Sequence, residues 1–179
     1  MSISLRGLFE AATPKIVSSQ AEERSVEQAQ RDIYESHRHR IFSLAYHMTG
    51  NEMQAERLLT DSFVHAFQAD PKPDASLIDG ALITGLRAHY TLALTSPASI
   101  SVSAGMDDRN VRRTDLEEAI QELPPIERLA FLLRDVEGYS SDAIAQLLEL
   151  SPSDINRTLF SARIRLRSIL ADLKEERAA

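Results

Sequence analysis

The chain has 179 residues, 43% hydrophobic and 26% charged, a balance typical of a folded globular protein rather than a disordered one. It contains no cysteine, which excludes disulfides, thiolate metal sites and thiol nucleophiles. A formal net charge of -7 argues against a protein that binds DNA over its whole surface. Because no apolar run is long enough to span a bilayer and the start is too polar for a signal peptide, we expect a cytoplasmic protein.

The N-terminal half is predicted to be helical after a loose arm over residues 1–25, where hydrophobic periodicity is weak. Helices are expected over residues 26–48, 52–68 and 76–94. Gly50 suits the left-handed position that ends a helix, and Asn51 can cap the next one. Together these signals predict a first domain over residues 26–95.

A stretch rich in Ser, Gly and Asp over residues 96–113 predicts a flexible linker. Four more helices are expected after it, over residues 114–122, 125–136, 141–149 and 152–173. They predict a second domain over residues 114–179. The expected fold class is therefore all-α, with two small helical domains and no strand pair. Acidic residues are concentrated in the first half of the chain and arginines near its end. This asymmetry suggests that one half binds protein and the other binds nucleic acid.

The last two predicted helices form a helix-turn-helix pattern. Ser140 can cap the first, and Ser151 can cap the second, with Pro152 at its first position and Asp154 completing a capping pattern. Two short helices joined by a tight turn leave the second free to enter a major groove. The polar face expected to meet DNA carries Ser153, Asn156, Arg157 and Ser161, with Arg163, Arg165 and Arg167 near the phosphate backbone. The alternative is that these arginines are only a solvated helix face.

Residues 116–128, with the sequence LEEAIQELPPIER, resemble the start of region four of bacterial sigma factors. Residues 132–140 and the helix-turn-helix residues 144–145 and 155–163 match the same region. The most similar group is the extracytoplasmic-function (ECF) type, which has only regions two and four. This resemblance implies core RNA polymerase and promoter DNA as partners, and an anti-sigma factor as a further one. It implies no cofactor, membrane or small-molecule substrate.

Residues 55–67 resemble, more weakly, the region-two helix that docks on core polymerase. The resemblance implies that Leu59, Asp61 and Phe63 lie at or beside the polymerase contact. An alternative for Leu59 and Phe63 is that they are only core residues on a shared apolar stripe. Arg57 and Thr60 depart from the family pattern, which usually has Asp and Gln there.

The third predicted helix departs furthest from region two, so that region is expected to be degenerate. The chain has no tryptophan, and the stretch over residues 81–90 carries Arg87 as its only full cation, with His89 and Tyr90 nearby. Single-stranded bases are normally held by aromatic stacking and positive charge, so ordinary promoter melting is in question. In region four, Glu149 stands where a turn glycine is common, and Ala143 replaces a usual Glu.

No catalytic or metal-binding pattern is visible. His37 and His39 are two residues apart and point to different sides of a helix, so they do not suit one metal ion. We therefore expect a sigma-type initiation factor that is not an enzyme. Two alternatives stay open. One is a degenerate sigma-like regulator that binds polymerase or an anti-sigma partner without melting promoters, and the other is a dimeric helix-turn-helix repressor.

Overall fold

The structure, a computed structural model, describes residues 14–95 and 112–178, with side chains over residues 23–95 and 112–177. Every regular element within these ranges is helical, which confirms the predicted all-α class. The helices are α1 (Pro14–Thr49), α2 (Glu52–Ala69), α3 (Ala75–His89), α4 (Arg113–Glu122), α5 (Pro125–Phe131), α6 (Ser141–Leu148) and α7 (Pro152–Ala178). A π-helical segment, Leu132–Val136, continues α5. Among the helices described, none has the length and apolarity that crossing a membrane requires.

Local capping signals define several helix ends as the sequence predicts. Gly50 ends α1 with a left-handed φ of +64°. The side chain of Asn51 then accepts a hydrogen bond from the Gln54 backbone N–H at 3.0 Å and starts α2. Likewise, the Ser140 hydroxyl accepts from the Ala143 N–H at 3.1 Å and starts α6. These bonds satisfy backbone donors that the first turn of a helix leaves unpaired.

Three predicted helix boundaries were wrong. Helix α1 begins at Pro14 rather than at residue 26, because proline suits a first helical position and the residues after it are mostly compatible with a helix. Helix α3 ends at His89 rather than at residue 94, since Tyr90 and Leu92 instead pack back against the core. Helix α7 runs on to Ala178. Residues 1–13 of the predicted arm over residues 1–25, and residues 96–111 of the predicted linker over residues 96–113, lie outside the described residues.

Buried apolar side chains form one cluster that extends through both halves of the chain. In the N-terminal half, α1, α2 and α3 pack together, and α3 approaches α2 so closely that a Cβ at Gly85 would stand 2.9 Å from the Leu58 side chain. This contact explains why a glycine is tolerated inside α3 despite its poor helix propensity. In the C-terminal half, α7 packs on α4, α5 and α6.

Helix α1 ends against the C-terminal half, which supplies hydrogen-bond donors to its last carbonyl groups. The Gln121 Nε2 donates to the His47 carbonyl at 2.6 Å, and Arg128 Nη1 donates to the Met48 carbonyl at 2.6 Å. Arg128 also donates to the Leu123 carbonyl at 3.1 Å and to the Gln121 carbonyl. Carbonyls in the last turn of a helix have no partner within that helix. Arg128, from the other half of the chain, supplies a hydrogen-bond donor to one of these carbonyls in α1.

A second polar contact joins the halves around the buried carboxylate of Asp79, whose residue is 1% exposed. Arg40 of α1 donates from Nη2 to Asp79 Oδ1 at 2.6 Å, and the Tyr139 hydroxyl donates to Asp79 Oδ2. Arg40 Nη1 also donates to the Tyr139 hydroxyl at 3.1 Å. The three side chains close a ring of hydrogen bonds that includes residues from α1, α3 and the loop before α6.

A third contact involves Arg87 near the end of α3. Its Nη2 donates to the Leu148 carbonyl at 2.9 Å, and its Nη1 lies 3.5 Å from the Glu149 carboxylate. Arg87 therefore satisfies a carbonyl at the end of α6. The predicted division into domains over residues 26–95 and 114–179 remains a prediction, but the described parts of both stretches are in contact here.

Candidate nucleic-acid interface

The corner between α6 and α7 is a helix-turn-helix, as the sequence predicts. Glu149 adopts a left-handed conformation with φ +57° and ψ +41°, and the Leu150 N–H bonds to the Ala145 carbonyl at 3.0 Å. Ser151 then caps α7 by accepting from the Asp154 N–H at 3.1 Å, and Pro152 is the first residue of the helix. The buried stripe of α7 includes Ile155, Leu159, Ala162 and Leu166, as predicted, and continues to Leu170. Glu149 thus occupies a backbone conformation that glycine adopts more easily.

The first two turns of α7 present a solvent-exposed face. Ser153, Asn156 and Arg157 are all exposed, as the sequence predicts. Phe160 lies at helical spacing from them and is 67% exposed, so a large apolar ring belongs to the same face. Phe160 is not among the predicted site residues, although its place three residues after Arg157 in the helical register is visible in the sequence. A face of this kind can donate to base edges and contact a thymine methyl group.

Two polar side chains of this face have partners within the helix-turn-helix. The Ser141 hydroxyl at the start of α6 donates to Asn156 Oδ1 at 2.9 Å. Arg157 Nη1 lies 3.5 Å from Asp154 Oδ1, while the other oxygen of Asp154 accepts from the Ser151 hydroxyl at 2.6 Å. The Arg157 side chain is nevertheless 63% exposed, so its guanidinium is accessible to a ligand.

Ser161 and Arg165 are directed toward the protein interior, contrary to the predicted DNA-facing placement. Both bind Glu127 of α5, which is fully buried. The Ser161 hydroxyl donates to Glu127 Oε1 at 2.9 Å, and Arg165 Nε donates to Oε2 at 3.0 Å. A buried carboxylate needs a charge partner and several donors, and Thr95 supplies one more at 2.9 Å. This demand accounts for the inward position of Ser161 and Arg165.

Arg163 and Arg167 lie on the outside of α7. Arg163 forms a two-pronged ion pair with Asp135 of the π-helical segment, at 2.7 Å and 3.1 Å. The hydrogen bonds that Arg163 donates to Asp135 raise the pKa of Arg163 above its ordinary value. Because the Arg163 side chain is still 48% exposed, a phosphate could compete with Asp135 for it. Arg167 is exposed.

The three predicted polymerase-contact residues of α2 occupy different environments. Asp61 is exposed and Leu59 is half-buried. Phe63 is only 3% exposed and packs with its ring 4.9 Å from that of Tyr34 and 5.8 Å from that of Phe67. This burial favours the alternative that Phe63 is a core residue, and its place at or beside a polymerase contact stays a prediction. On the solvent side, the exposed residues of α2 include Met53, Arg57, Asp61 and Val64.

The third helix offers few of the features of a single-strand binding surface among the described residues. Its predicted cation, Arg87, is bound to the end of α6. An open groove of about 690 Å³ lies between α2 and α3, and Asp70 and Asp74 are among its lining residues, together with a single Lys, Lys72. Proteins that hold single-stranded nucleic acid combine positive grooves with stacking aromatics. The lining of this groove has two carboxylates against one lysine, and His65 supplies its one aromatic ring. Within the described ranges, His, Asp and Glu residues form no group suited to a metal ion.

Comparisons with known proteins agree with this geometry. Residues 113–166 match the family model described as Sigma-70, region 4. The ECF RNA polymerase sigma factor SigE of Mycolicibacterium smegmatis (strain ATCC 700084 / mc(2)155) is 24% identical over 163 residues, which cover 82% of this chain. The chain spans 63% of the length of that curated relative.

Among solved structures, the sigma factor RpoE from Bartonella quintana, in complex with the anti-sigma factor NepR, has a similar fold. The TM-score is 0.55 at 15% identity, and the match covers 85% of this chain and 98% of that one. At this identity the likeness is one of fold. The chain is therefore similar in sequence to an ECF-type sigma factor and in fold to a sigma factor, and its residues 113–166 match sigma-70 region 4.

Proposed function

We propose that this protein is a sigma-type transcription initiation factor of the cytoplasm, which binds core RNA polymerase and directs it to promoters through α6 and α7. The observation that carries the proposal is the exposed face of α7, where Asn156, Arg157 and Phe160 stand together at the start of a well-capped helix within the sigma-70 region 4 match. Sigma factors act without enzymatic chemistry of their own, and we assign none to this chain.

In this proposal the N-terminal half, residues 26–95, contacts core polymerase, and the segment over residues 96–113 connects it to the DNA-reading half. The solvent side of α2, with Asp61 and the exposed apolar residues Met53 and Val64, is the surface proposed for the polymerase. Exposed apolar groups among polar ones are common at protein interfaces. Leu59 is half-buried beside this surface.

A second candidate function is a regulator that binds polymerase, or an anti-sigma factor, without opening promoters. It is favoured by the groove between α2 and α3, which has acidic residues in its lining, and by the engagement of Arg87 with α6. A surface of that charge is a poor receptor for a separated DNA strand. Sequence-specific duplex reading by α7 is compatible with either function.

Two measurements with purified core polymerase test the proposal. We expect the chain to co-purify with core polymerase and to produce run-off transcripts from promoters of its own genome. Co-purification without any transcript would favour the second candidate. Failure to bind core polymerase, with binding of the chain alone to a palindromic duplex, would contradict both and favour a dimeric repressor.

Replacing Arg157 with Ala is expected to weaken promoter binding by about 1–3 kcal/mol, because an exposed arginine on the groove-facing turn loses its contact with a base edge. The measurement is fluorescence anisotropy of labelled duplexes bound by the complex with core polymerase. Arg167→Ala is the matched comparison: Arg167 is also exposed on α7 and lies ten residues further along, near the expected phosphate backbone, so any loss it causes should be the same on every duplex. A loss that is the same on every duplex would make Arg157 a phosphate contact and contradict base reading.

A further inference from the structure

Phe160 is a large apolar side chain that α7 leaves exposed to solvent. The residue is 67% exposed, although the adjacent Leu159 and the nearby Ala162 are buried and fix this part of α7 against the C-terminal half. Among the described residues, no other aromatic ring lies against that of Phe160. A phenyl ring in water at a fixed place on a well-packed helix is available to a binding partner.

The helical register places Phe160 on the face of α7 that carries the polar residues expected to read DNA. Ser153, Asn156 and Arg157 precede it by seven, four and three residues, and residues at these spacings share one face of a helix. Arg163 follows three residues later and is also exposed. Phe160 therefore lies between polar side chains that have hydrogen-bond donors.

The surroundings of Phe160 fit nucleic acid better than an apolar protein partner. Surfaces that bind proteins through apolar contact are contiguous apolar patches, whereas Phe160 is flanked by Asn156, Arg157 and Arg163. Two arginines beside one ring suit a groove that is bordered by phosphates. The ring is therefore expected to meet a single apolar group within a polar, negatively charged surface.

The major groove offers one such group. Thymine carries a methyl group at C5 on its major-groove edge, and this methyl group distinguishes it from the other three bases. The remaining features that identify a base pair there are hydrogen-bond donors and acceptors, which a phenyl ring cannot satisfy. A phenyl ring placed on the thymine methyl group removes apolar surface of both from water, which stabilises the complex.

The spacing along α7 indicates where that thymine lies. An α-helix rises about 1.5 Å per residue, so Phe160 lies about 4.5 Å beyond Arg157 along the helix axis. Base pairs follow one another at about 3.4 Å along the duplex. With α7 lying along the groove, the base pair that faces Phe160 is therefore about one or two steps from the base pair that faces Arg157.

We propose that Phe160 is a specificity-determining residue that reads the C5 methyl group of a thymine, about one or two base pairs from the pair that Arg157 meets. The inference rests on the proposed function, since it presumes that α7 enters the major groove of promoter DNA. It adds a base preference that arises from apolar contact rather than from a hydrogen bond.

The test removes the methyl group from the DNA before it removes the ring from the protein. Duplexes are selected from a randomised library by the full chain bound to core RNA polymerase. Each thymine of the preferred duplex is then replaced singly by deoxyuridine, which keeps the base pairing, and binding is measured by fluorescence anisotropy. We expect one replacement to weaken binding about fourfold, the scale of one buried methyl group. At that position, 5-methylcytosine should bind more tightly than cytosine.

Substitutions of Phe160 then show whether its ring is the group that reads the methyl. Phe160→Ala should abolish the difference between thymine and deoxyuridine at that position and keep the preference at the base pair that Arg157 meets. Phe160→Leu keeps an apolar side chain and should retain part of the difference. Val136→Ala is the matched control, because Val136 is 56% exposed but ends the π-helical segment before α6, and it should leave the difference unaltered. All three substitutions are at exposed positions, so the variants should remain folded.

The possible failures are distinguishable. If the chain with core polymerase selects no duplex sequence, the proposed function fails and the inference fails with it. If selection occurs but deoxyuridine binds as well as thymine at every position, or the difference survives in Phe160→Ala, only the reading role is overturned and the proposed function stands. Weaker binding of Phe160→Ala to core polymerase without DNA, with the thymine difference unaltered, would assign the ring to a protein contact and also overturn the reading role.

Discussion

Replacement of Arg128 by Met is expected to lower the free energy of unfolding by about 3 kcal/mol, because it removes a buried donor from several acceptors at once. Arg128 is 8% exposed and serves the Met48, Gln121 and Leu123 carbonyls. Burial lowers the pKa of its guanidinium, which reflects the cost of holding the charge inside. Methionine keeps the apolar stem but offers no donor, so the carbonyl at the end of α1 is left without its partner.

Urea unfolding followed by far-UV circular dichroism measures this loss, with Arg167→Met as the control. Arg167 is exposed on α7, and a surface substitution of this kind changes stability by about 0.5 kcal/mol or less. A loss below about 1 kcal/mol for Arg128→Met would mean that water or a neighbour takes over the carbonyls at little cost. Such a result would contradict the inference that hydrogen bonds from the C-terminal half stabilise the end of α1.

Asp79→Ala is expected to reduce stability by about 3 kcal/mol, since it leaves a partly buried cation without its anion. The Arg40 side chain is 22% exposed, and it pairs with Asp79 at 2.6 Å. Burial alone would lower the pKa of Arg40, but the hydrogen bond and charge of Asp79 raise it above its ordinary value. The Tyr139 hydroxyl loses its acceptor in the same variant.

The control is Tyr139→Phe, which keeps the ion pair and should cost about 1 kcal/mol, the scale of one hydrogen bond. A spectroscopic readout accompanies it. Burial, followed by the hydrogen bond to Asp79 and its charge, raises the pKa of Tyr139 to about 12. In Asp79→Ala, ultraviolet titration should show this pKa moving down toward the ordinary tyrosine value. Equal losses of stability in Asp79→Ala and Tyr139→Phe would show that the Tyr139 hydroxyl, rather than the Arg40–Asp79 ion pair, provides the stabilisation at this contact.

The helix-turn-helix could be predicted because its signals are local. Ser140 and Ser151 cap helices a few residues away, and Pro152 marks a first helical position. The exposure of Asn156 and Arg157 follows from the same apolar stripe that buries Ile155 and Leu159. A helical period of 3.6 residues assigns these faces without reference to the rest of the fold.

The placement of Ser161 and Arg165 could not be predicted in the same way. Both lie at the edge of the apolar stripe, where periodicity allows either side, and Glu127 decides between the sides. Glu127 belongs to α5, and no residue pattern around it in the sequence indicates that its carboxylate is fully buried. Phe63 presents the same difficulty, since a residue on an apolar stripe can face the core or a partner, and only its contact with Tyr34 identifies the core.

The contacts between the two halves are equally absent from any local pattern. Arg40 and Tyr139 are 99 residues apart, and Arg128 and Met48 are 80 residues apart. Arg40, Arg128 and Tyr139 are residue types that also occur on the exposed surface of a helix or a loop, so the sequence does not indicate that they join the two halves. Only the packing of α3 against α6, and of α1 against α4 and α5, brings the partners together.

Glu149 combines a left-handed backbone with a side chain that contacts the N-terminal half. Its backbone is left-handed, which a glycine would accept with less strain, and its carboxylate lies 3.5 Å from Arg87. A glycine at this corner would relax the turn before α7 and remove the ion pair, while Arg87 would keep its hydrogen bond to the Leu148 carbonyl. The turn that sets the start of α7 is therefore also the point at which α3 of the N-terminal half contacts the end of α6.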